Sequence, residues 1–132
     1  MKRRLFLATV AAATVAPIVA MASDYVTYTD GIIEKALAEG KTVFVDYSAS
    51  WCSTCHRQER VINALRAQDP AYDAAMTFVK VDWDDYGDHE VAVFRNVPRR
   101  STLIVLRGDA ELGRVVAGTS QAQIKELMDT GL

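Results

Sequence analysis

The sequence predicts an α/β domain with a central mixed β-sheet and helices on both of its faces. Short runs rich in Val, Ile and Phe alternate with segments of helical periodicity, which is typical of a sheet built by crossover connections. The 132 residues, half of them hydrophobic, suit one compact domain and exclude a disordered chain. A formal net charge of −2 excludes a generally basic nucleic-acid binder.

The first half of the predicted domain contains two strands and two helices. A weakly alternating segment at residues 24–29 predicts a short edge strand. A helix follows, with Asp30 as its expected N-terminal cap and Gly40 as its stop. The β-branched and aromatic run at residues 43–45 predicts a buried strand, and residues 52–67 predict a longer helix.

The second half continues the alternation and closes with a hairpin. Residues 78–81 predict a strand and residues 89–95 a helix. The apolar runs at residues 103–106 and 112–117 flank a turn, so they predict two antiparallel strands. Ser120 begins a capping-box pattern that predicts the last helix. We expect a solvated surface for the acidic stretch between the strand at residues 78–81 and this hairpin, which contains Asp82, Asp84, Asp85, Asp88 and Glu90.

The N-terminal segment has the pattern of an export signal. Lys2, Arg3 and Arg4 precede an uncharged stretch that ends at Ala20-Met21-Ala22, a small-x-small cleavage pattern. We therefore expect residues 1–22 to be a signal peptide that is removed, residues 23–132 to be the domain, and the mature protein to be periplasmic. A retained membrane anchor is the alternative. The run from Arg3 to Leu7 also resembles a twin-arginine motif, which leaves the general secretory and twin-arginine routes both open.

The motif Trp51-Cys52-Ser53-Thr54-Cys55 predicts thiol–disulfide chemistry. With Cys52 at a helix N-terminus, unpaired N–H groups and the helix dipole favour its thiolate, and Cys52 becomes the attacking nucleophile. Cys55 lies one turn further on, should be less exposed, and can resolve a mixed disulfide formed on Cys52. The alternative is an inert structural disulfide, but a loop this short restricts the unfolded chain very little.

These residues resemble the thioredoxin family. The resemblance is carried by a hydrophobic strand, an Asp, an aromatic residue and then Ala-x-Trp-Cys-x-x-Cys, which here is Val43-Phe44-Val45-Asp46-Tyr47-Ser48-Ala49-Ser50-Trp51-Cys52-Ser53-Thr54-Cys55. It implies a thioredoxin fold and an enzyme that most often reduces disulfides of partner proteins. It further implies no cofactor beyond the redox-active disulfide, a monomeric protein, and electrons from a membrane thiol-reductant transporter, as in the exported branches of the family.

The resemblance also assigns roles to side chains near the thiols. Asp46 would be the buried acid that accepts a proton as Cys55 becomes nucleophilic; the alternative is a solvent-facing aspartate at the end of a strand. Trp51 would form an apolar shelf beside Cys52 and take part in substrate binding. The catalytic residues implied are therefore Cys52, Cys55 and Asp46.

The loop before the predicted strand at residues 103–106 departs from the family pattern. The family has a cis-proline before a Thr at this place, whereas here the order is Val97-Pro98-Arg99-Arg100-Ser101-Thr102. Aligning Thr102 with the family's Thr puts Ser101 in the place of the cis-proline. We call this place the docking position, because in the family this loop pairs with the substrate backbone. Arg100, Ser101 and Thr102 are therefore the expected substrate-binding residues. A cis bond before Ser101 would cost about 3 kcal/mol, so this loop is either strained or trans. The other register places Pro98 at the docking position.

The arginines of this loop and three further classes of function remain open. Arg99 and Arg100 either favour the Cys52 thiolate, attract an acidic partner, or are solvated. The run from Cys52 to His56 also matches a c-type haem attachment motif, with Met76 or Met128 as the second iron ligand. Otherwise His56 is solvated or lowers the pKa of Cys52. A disulfide-forming oxidant and a non-catalytic binding module are the remaining alternatives.

Overall fold

A computed structural model of the protein describes residues 11–14 and 24–132. The predicted export signal therefore lies outside the described residues except for residues 11–14, which are exposed and have no regular secondary structure. Among the helices that the model describes, none has the length and apolar character needed to cross a bilayer.

The sheet has five strands and is mixed, as predicted. The strands are β1 (Val26–Thr27), β2 (Thr42–Ser48), β3 (Met76–Asp82), β4 (Thr102–Arg107) and β5 (Ala110–Val116). Their order across the sheet is β1-β3-β2-β4-β5. The first three are parallel neighbours, and β4 runs antiparallel to both β2 and β5. β2 thus lies in the middle of the sheet, and all seven of its residues are buried.

Within residues 24–132, six helices flank the sheet. They are α1 (Ile32–Ala38), α2 (Ser53–Gln68), α3 (Ala71–Ala75), α4 (Trp83–Tyr86), α5 (Glu90–Val93) and α6 (Gln121–Asp129). Ser120 caps α6 by accepting from the Gln123 backbone N–H at 3.1 Å, as the capping-box pattern predicts. The short α4 was not predicted: it forms within the acidic stretch, where the Asp82 side chain accepts from the Asp84 N–H at 2.8 Å.

The predicted cap of α1 is wrong. Gly31 occupies the N-cap position with a left-handed φ of 82°, and no side chain caps the helix. The Asp30 carboxylate instead lies 3.2 Å from His89 Nε2 and 3.4 Å from the Tyr28 hydroxyl. The contact between Asp30 and His89, a residue distant in sequence, thus takes the place of the predicted capping role of Asp30.

Alternation along β2 divides the core into two clusters. Val43, Val45 and Tyr47 belong to one cluster, together with Ile33 of α1. Phe44 belongs to the other cluster, which contains residues of α2 and α6. Since side chains alternate across a strand, Asp46 shares the Phe44 face, the face that α2 covers. The fold therefore buries a carboxyl group beneath the helix that carries both cysteines.

Candidate active site

The site begins at the N-terminus of α2, where Cys52 is the N-cap residue. Its backbone is extended, and its Sγ accepts a hydrogen bond from the Cys55 N–H at 3.2 Å. Because an N-cap side chain faces the unpaired N–H groups of the first turn, a thiolate there is stabilised by both hydrogen bonding and the helix dipole. Both cysteines are free, and they pack with Ala49 and Trp83.

The environments of the two thiols drive their pKa values apart. Burial raises the pKa of Cys52, but hydrogen bonds from the Cys55 and Ser101 side chains, the Cys55 N–H and the Arg100 side chain outweigh it and lower the pKa to about 7. Burial and the hydrogen bond with Cys52 raise the pKa of Cys55 above its usual range. The structure thus makes Cys52 the better nucleophile near neutral pH.

Cys55 is less exposed than Cys52, as expected, but the difference is small. Cys52 is 3% exposed and Cys55 is 1% exposed. The reason is the loop before β4, whose Ser101 side chain contacts both sulfurs. The two thiols therefore differ in pKa because of their hydrogen bonds and not because of a difference in exposure.

Asp46 is fully buried, so the alternative of a solvent-facing aspartate is wrong. Neither carboxyl oxygen has a hydrogen-bond partner in the described part of the protein. The pKa of Asp46 is raised to about 7, chiefly by burial; the charge of Lys80 opposes the rise, and the charges of Glu59 and Cys52 add to it. A carboxyl group that titrates near pH 7 can take up and release a proton at neutral pH, as a general base must.

A charged pair beside Asp46 was not anticipated from the sequence. Lys80 aligns with Asp46 across the parallel β2–β3 ladder, and its Nζ lies 3.0 Å from Glu59 Oε1. Lys80 and Glu59 both line a cavity of about 440 Å³, which also reaches Ser50 and His56 near the start of α2. The two groups that adjust the Asp46 pKa are therefore open to solvent, although Asp46 itself is not.

Trp51 is 60% exposed and lies under the Arg100 guanidinium. The guanidinium carbon is 4.3 Å from the indole centroid, within the range of a cation–π interaction. The indole Nε1 donates to both carboxylate oxygens of Asp84, at 2.9 and 3.2 Å. Asp84, whose acidic stretch was expected only to be solvated, therefore holds Trp51 in place, and Trp51 supports Arg100 next to Cys52.

The loop before β4 brings Ser101 to the thiols. The Ser101 hydroxyl oxygen lies 3.3 Å from Cys52 Sγ and 3.0 Å from Cys55 Sγ. Pro98 is exposed, and every peptide bond in the described ranges is trans. Ser101 has a φ of 65°, a left-handed conformation that few non-glycine residues adopt. Of the two registers considered, the geometry matches the one that puts Ser101 at the docking position.

Two further side chains hold this loop. Thr102, expected to bind substrate, is fully buried, and its hydroxyl donates to the Arg99 carbonyl at 2.8 Å, so it supports the loop from inside. Gln58 of α2 was missed: its buried amide donates to the carbonyls of Ser101 and Gly118, each at 2.9 Å. A glutamine inside a helical pattern carries no sequence signal for this role, because its partners lie 43 and 60 residues away.

His56 and the two methionines do not fit the haem interpretation. His56 is exposed, and its ring Nε2 lies 2.6 Å from the Ser50 carbonyl oxygen, where it donates to the backbone. Met76 and Met128 are buried in the core cluster around Phe44. The sulfurs, meanwhile, are engaged with each other, with the helix terminus and with Ser101.

A buried, asymmetric dithiol at a helix N-terminus after a central strand defines a thiol–disulfide oxidoreductase. Comparisons with known proteins agree. Residues 24–126 match the family model described as thioredoxin-like, so the chain belongs to this family. It is 34% identical to thioredoxin-1 of Saccharomyces cerevisiae over 93 residues (70% of this chain, 84% of that one) and 39% identical to thioredoxin-2 of that yeast over 94 residues (70% and 84%).

Solved structures show the same relationship. The crystal structure of Trxlp from Edwardsiella tarda aligns with a TM-score of 0.66 and 33% identity, covering 76% of this chain and 95% of that one. Schistosoma mansoni thioredoxin aligns with a TM-score of 0.64 and 27% identity, covering 82% and 95%. The predicted thioredoxin fold is confirmed, and the chain is an enzyme that acts on disulfides through Cys52 and Cys55.

Proposed function

We propose that this protein reduces disulfide bonds of partner proteins in the periplasm. The observation that carries the exchange chemistry is Cys52 at the α2 N-cap, where its Sγ accepts from the Cys55 N–H at 3.2 Å and its pKa falls to about 7 while that of Cys55 is raised. Cys52 attacks the partner disulfide and forms a mixed disulfide with it. Cys55 then attacks Cys52 Sγ, releases the partner thiol and closes the Cys52–Cys55 disulfide, so two electrons pass to the partner.

The reductive direction is supported by the relatives, which are themselves named thioredoxins. An exported reductant also needs electrons from across the membrane, because the periplasm is kept oxidising. A membrane thiol-reductant transporter would supply these electrons by reducing the Cys52–Cys55 disulfide. Trp51 and the backbone of the Arg100–Ser101 loop would form the surface on which the partner docks, in an enzyme that acts as a monomer.

A disulfide-forming oxidant is the second candidate, and one observation favours it. Several donors converge on Cys52 Sγ, and whatever stabilises its thiolate stabilises the reduced protein and raises the reduction potential. The Cys52–Cys55 disulfide would then tend to accept electrons from partner dithiols, which would be oxidised to disulfides.

The reduction potential distinguishes these two functions. The protein is equilibrated with glutathione redox buffers, and the fraction of Cys52–Cys55 disulfide is measured after acid quenching and alkylation. A reductase is expected to have a potential below about −220 mV, in the range of thioredoxins and strongly reducing glutaredoxins. A potential above about −180 mV, in the range of disulfide isomerases and oxidants, would instead assign the oxidant function.

The periplasmic part of the proposal depends on residues 1–22. Their support is the basic start, the uncharged stretch and the Ala20-Met21-Ala22 pattern. The full chain, expressed in a Gram-negative host, should appear in the periplasmic fraction with Ser23 at its N-terminus. A chain that begins at Ser23 is the control and should stay in the cytoplasm. An uncleaved, membrane-bound product would instead support the anchor.

The export route is tested with a separate variant. Replacing Arg3 and Arg4 together by lysine keeps the basic charge but removes the twin-arginine pair. Continued export of this variant would indicate the general secretory route, and its arrest the twin-arginine route.

A further inference from the structure

The Ser101 hydroxyl lies between the two sulfurs. It is 3.0 Å from Cys55 Sγ and 3.3 Å from Cys52 Sγ, and the residue is fully buried. A hydroxyl has one hydrogen to donate, and it rotates to reach a new acceptor without moving its oxygen. Ser101 can therefore donate to either sulfur from the same position.

The backbone of Ser101 is held on both sides. Its N–H donates to the Tyr47 carbonyl at 2.7 Å, and its carbonyl accepts from the Ala117 N–H and from Gln58 Nε2, each at 2.9 Å. These bonds hold a residue whose φ of 65° would be costly in a free loop. Strain of this kind persists where surrounding structure fixes it, and it is common at functional sites.

The other donors around the thiols serve one sulfur each. Arg100 and the Cys55 N–H act on Cys52, whereas the Ala49 backbone and the Ser48 side chain act on Cys55. Within residues 24–132, Ser101 is the side chain besides the cysteines themselves that hydrogen-bonds both sulfurs. Asp46 has no hydrogen-bond partner there, so it contacts neither sulfur through a hydrogen bond.

We propose that the Ser101 hydroxyl is a catalytic hydrogen-bond donor that follows the negative charge from Cys52 to Cys55 during thiol–disulfide exchange. Before the reaction it donates to the Cys52 thiolate. The thiolate attacks a partner disulfide, a Cys52–partner bond forms, and the first partner sulfur leaves as a thiolate that takes a proton from water. Cys52 Sγ then carries no charge, and the hydroxyl turns to Cys55.

In the second step Cys55 passes its proton to the Asp46 carboxylate, and the Ser101 hydroxyl stabilises the Cys55 thiolate that results. That thiolate attacks Cys52 Sγ, the Cys52–Cys55 bond forms, and the second partner sulfur leaves and is protonated by solvent. Ser101 keeps its own proton throughout, and the two electrons end on the partner. The proposal rests on the dithiol chemistry and holds for either net direction of transfer.

The test compares Ser101→Ala and Ser101→Gly with the wild type. Both substitutions remove the hydroxyl, but alanine keeps the strained left-handed backbone and glycine relieves it. Ser50→Ala is the control, because Ser50 is an exposed serine two residues before Cys52, and its hydroxyl has no hydrogen bond in the described structure. Near-UV circular dichroism checks that each variant keeps its tertiary packing.

The probe is the aromatic disulfide 5,5′-dithiobis(2-nitrobenzoate). The first thionitrobenzoate released reports attack by Cys52, and the second reports resolution by Cys55. The Cys52 pKa is measured separately from the pH dependence of thiolate absorbance. Both Ser101 variants should raise this pKa by about one unit and slow the second release about tenfold at neutral pH, as expected for loss of a hydrogen bond to a charged group.

Two results would overturn the proposal. Wild-type pKa and wild-type second release in both variants would show that the hydroxyl is not used. Defects in Ser101→Ala that disappear in Ser101→Gly would assign the effect to the backbone. Since neither readout depends on the reduction potential, the proposal stands or fails independently of the reductive direction.

Discussion

At the scale of single residues, hydrogen bonds give two chemically identical thiols different pKa values. Cys52 and Cys55 are both almost fully buried, so a difference in access does not decide which attacks. The helix terminus, Ser101 and Arg100 all favour the charge on Cys52. Cys55 keeps its proton until Cys52 has formed a mixed disulfide with the partner, which prevents the two thiols from competing for the same partner.

The first prediction concerns this order of attack. Mild alkylation of the reduced protein with iodoacetamide near pH 7 should modify Cys52 first, because its pKa is about 7 and that of Cys55 is raised. Peptide mass mapping after short exposure measures the ratio. In the same way, Cys55→Ala should accumulate mixed disulfides on Cys52. Preferential modification of Cys55 would contradict the assignment.

The second prediction concerns Asp46. Asp46→Asn keeps the shape of the side chain but removes a carboxyl group whose pKa of about 7 lets it take a proton as Cys55 becomes nucleophilic. Resolution of the mixed disulfide should slow by about 10²-fold, within the usual range for a lost general base, while attack by Cys52 changes much less. Rapid-quench trapping separates the two steps.

A charge-matched control accompanies this variant. Asp109→Asn removes a carboxylate from the exposed β4–β5 turn and should leave both rates unchanged. Equal slowing of both steps in Asp46→Asn would assign a structural role to the buried acid.

At the scale of elements, the loop between α5 and β4 decides what surrounds the sulfurs. The third prediction is that Ser101→Pro destabilises the protein by about 3 kcal/mol or more. Proline fixes φ near −65°, whereas Ser101 has a φ of 65°, and proline also removes the N–H that donates to the Tyr47 carbonyl. Urea unfolding monitored by tryptophan fluorescence measures the loss.

Pro98→Ala is the matched control in the same loop. Pro98 is exposed, so its replacement should cost only about 0.4–1 kcal/mol through the entropy of the unfolded chain. A greater loss for Pro98→Ala than for Ser101→Pro would favour the register in which Pro98 faces the thiols.

The elements show where prediction from the sequence succeeds. The β2 strand and the α2 helix were predicted because their apolar patterns are local, and the Cys-x-x-Cys spacing places both thiols on one helix terminus. Gln58 and the Glu59–Lys80 pair were missed because their roles arise from contacts between distant segments. The cap of α1 was wrong for a related reason, since His89 recruits Asp30 from another part of the chain.

At the scale of the whole molecule, the buried acid links stability to pH. The unfolded chain has an Asp46 pKa near the usual value of about 3.9, whereas the folded protein raises it to about 7. The folded state therefore binds this proton more tightly. Its stabilising contribution is complete below about pH 4 and is lost as the pH rises through 7.

The fourth prediction follows from this sign. The quantity compared is the free energy of unfolding of Asp46→Asn minus that of the wild type. This difference should be roughly 2–4 kcal/mol more favourable to the variant at about pH 8.5 than at about pH 4, because asparagine carries no charge to bury. Urea unfolding of both proteins at the two pH values, with the cysteines kept reduced, measures the difference. If the difference in free energy of unfolding between the two proteins did not change with pH, Asp46 would not be a titrating buried acid.

The contacts of Gln58 have a consequence for when the protein acquires its chemistry. The Gln58 side-chain amide donates to the carbonyls of both Ser101 and Gly118, and so joins these two segments to α2, the helix that carries the cysteines. A chain that is still being synthesised lacks these later residues, so its two thiols have the acidity of ordinary cysteines. The electrostatic asymmetry of the dithiol thus develops only as the β4–β5 hairpin docks. The emerging polypeptide is a potential substrate of other oxidoreductases before it becomes one itself.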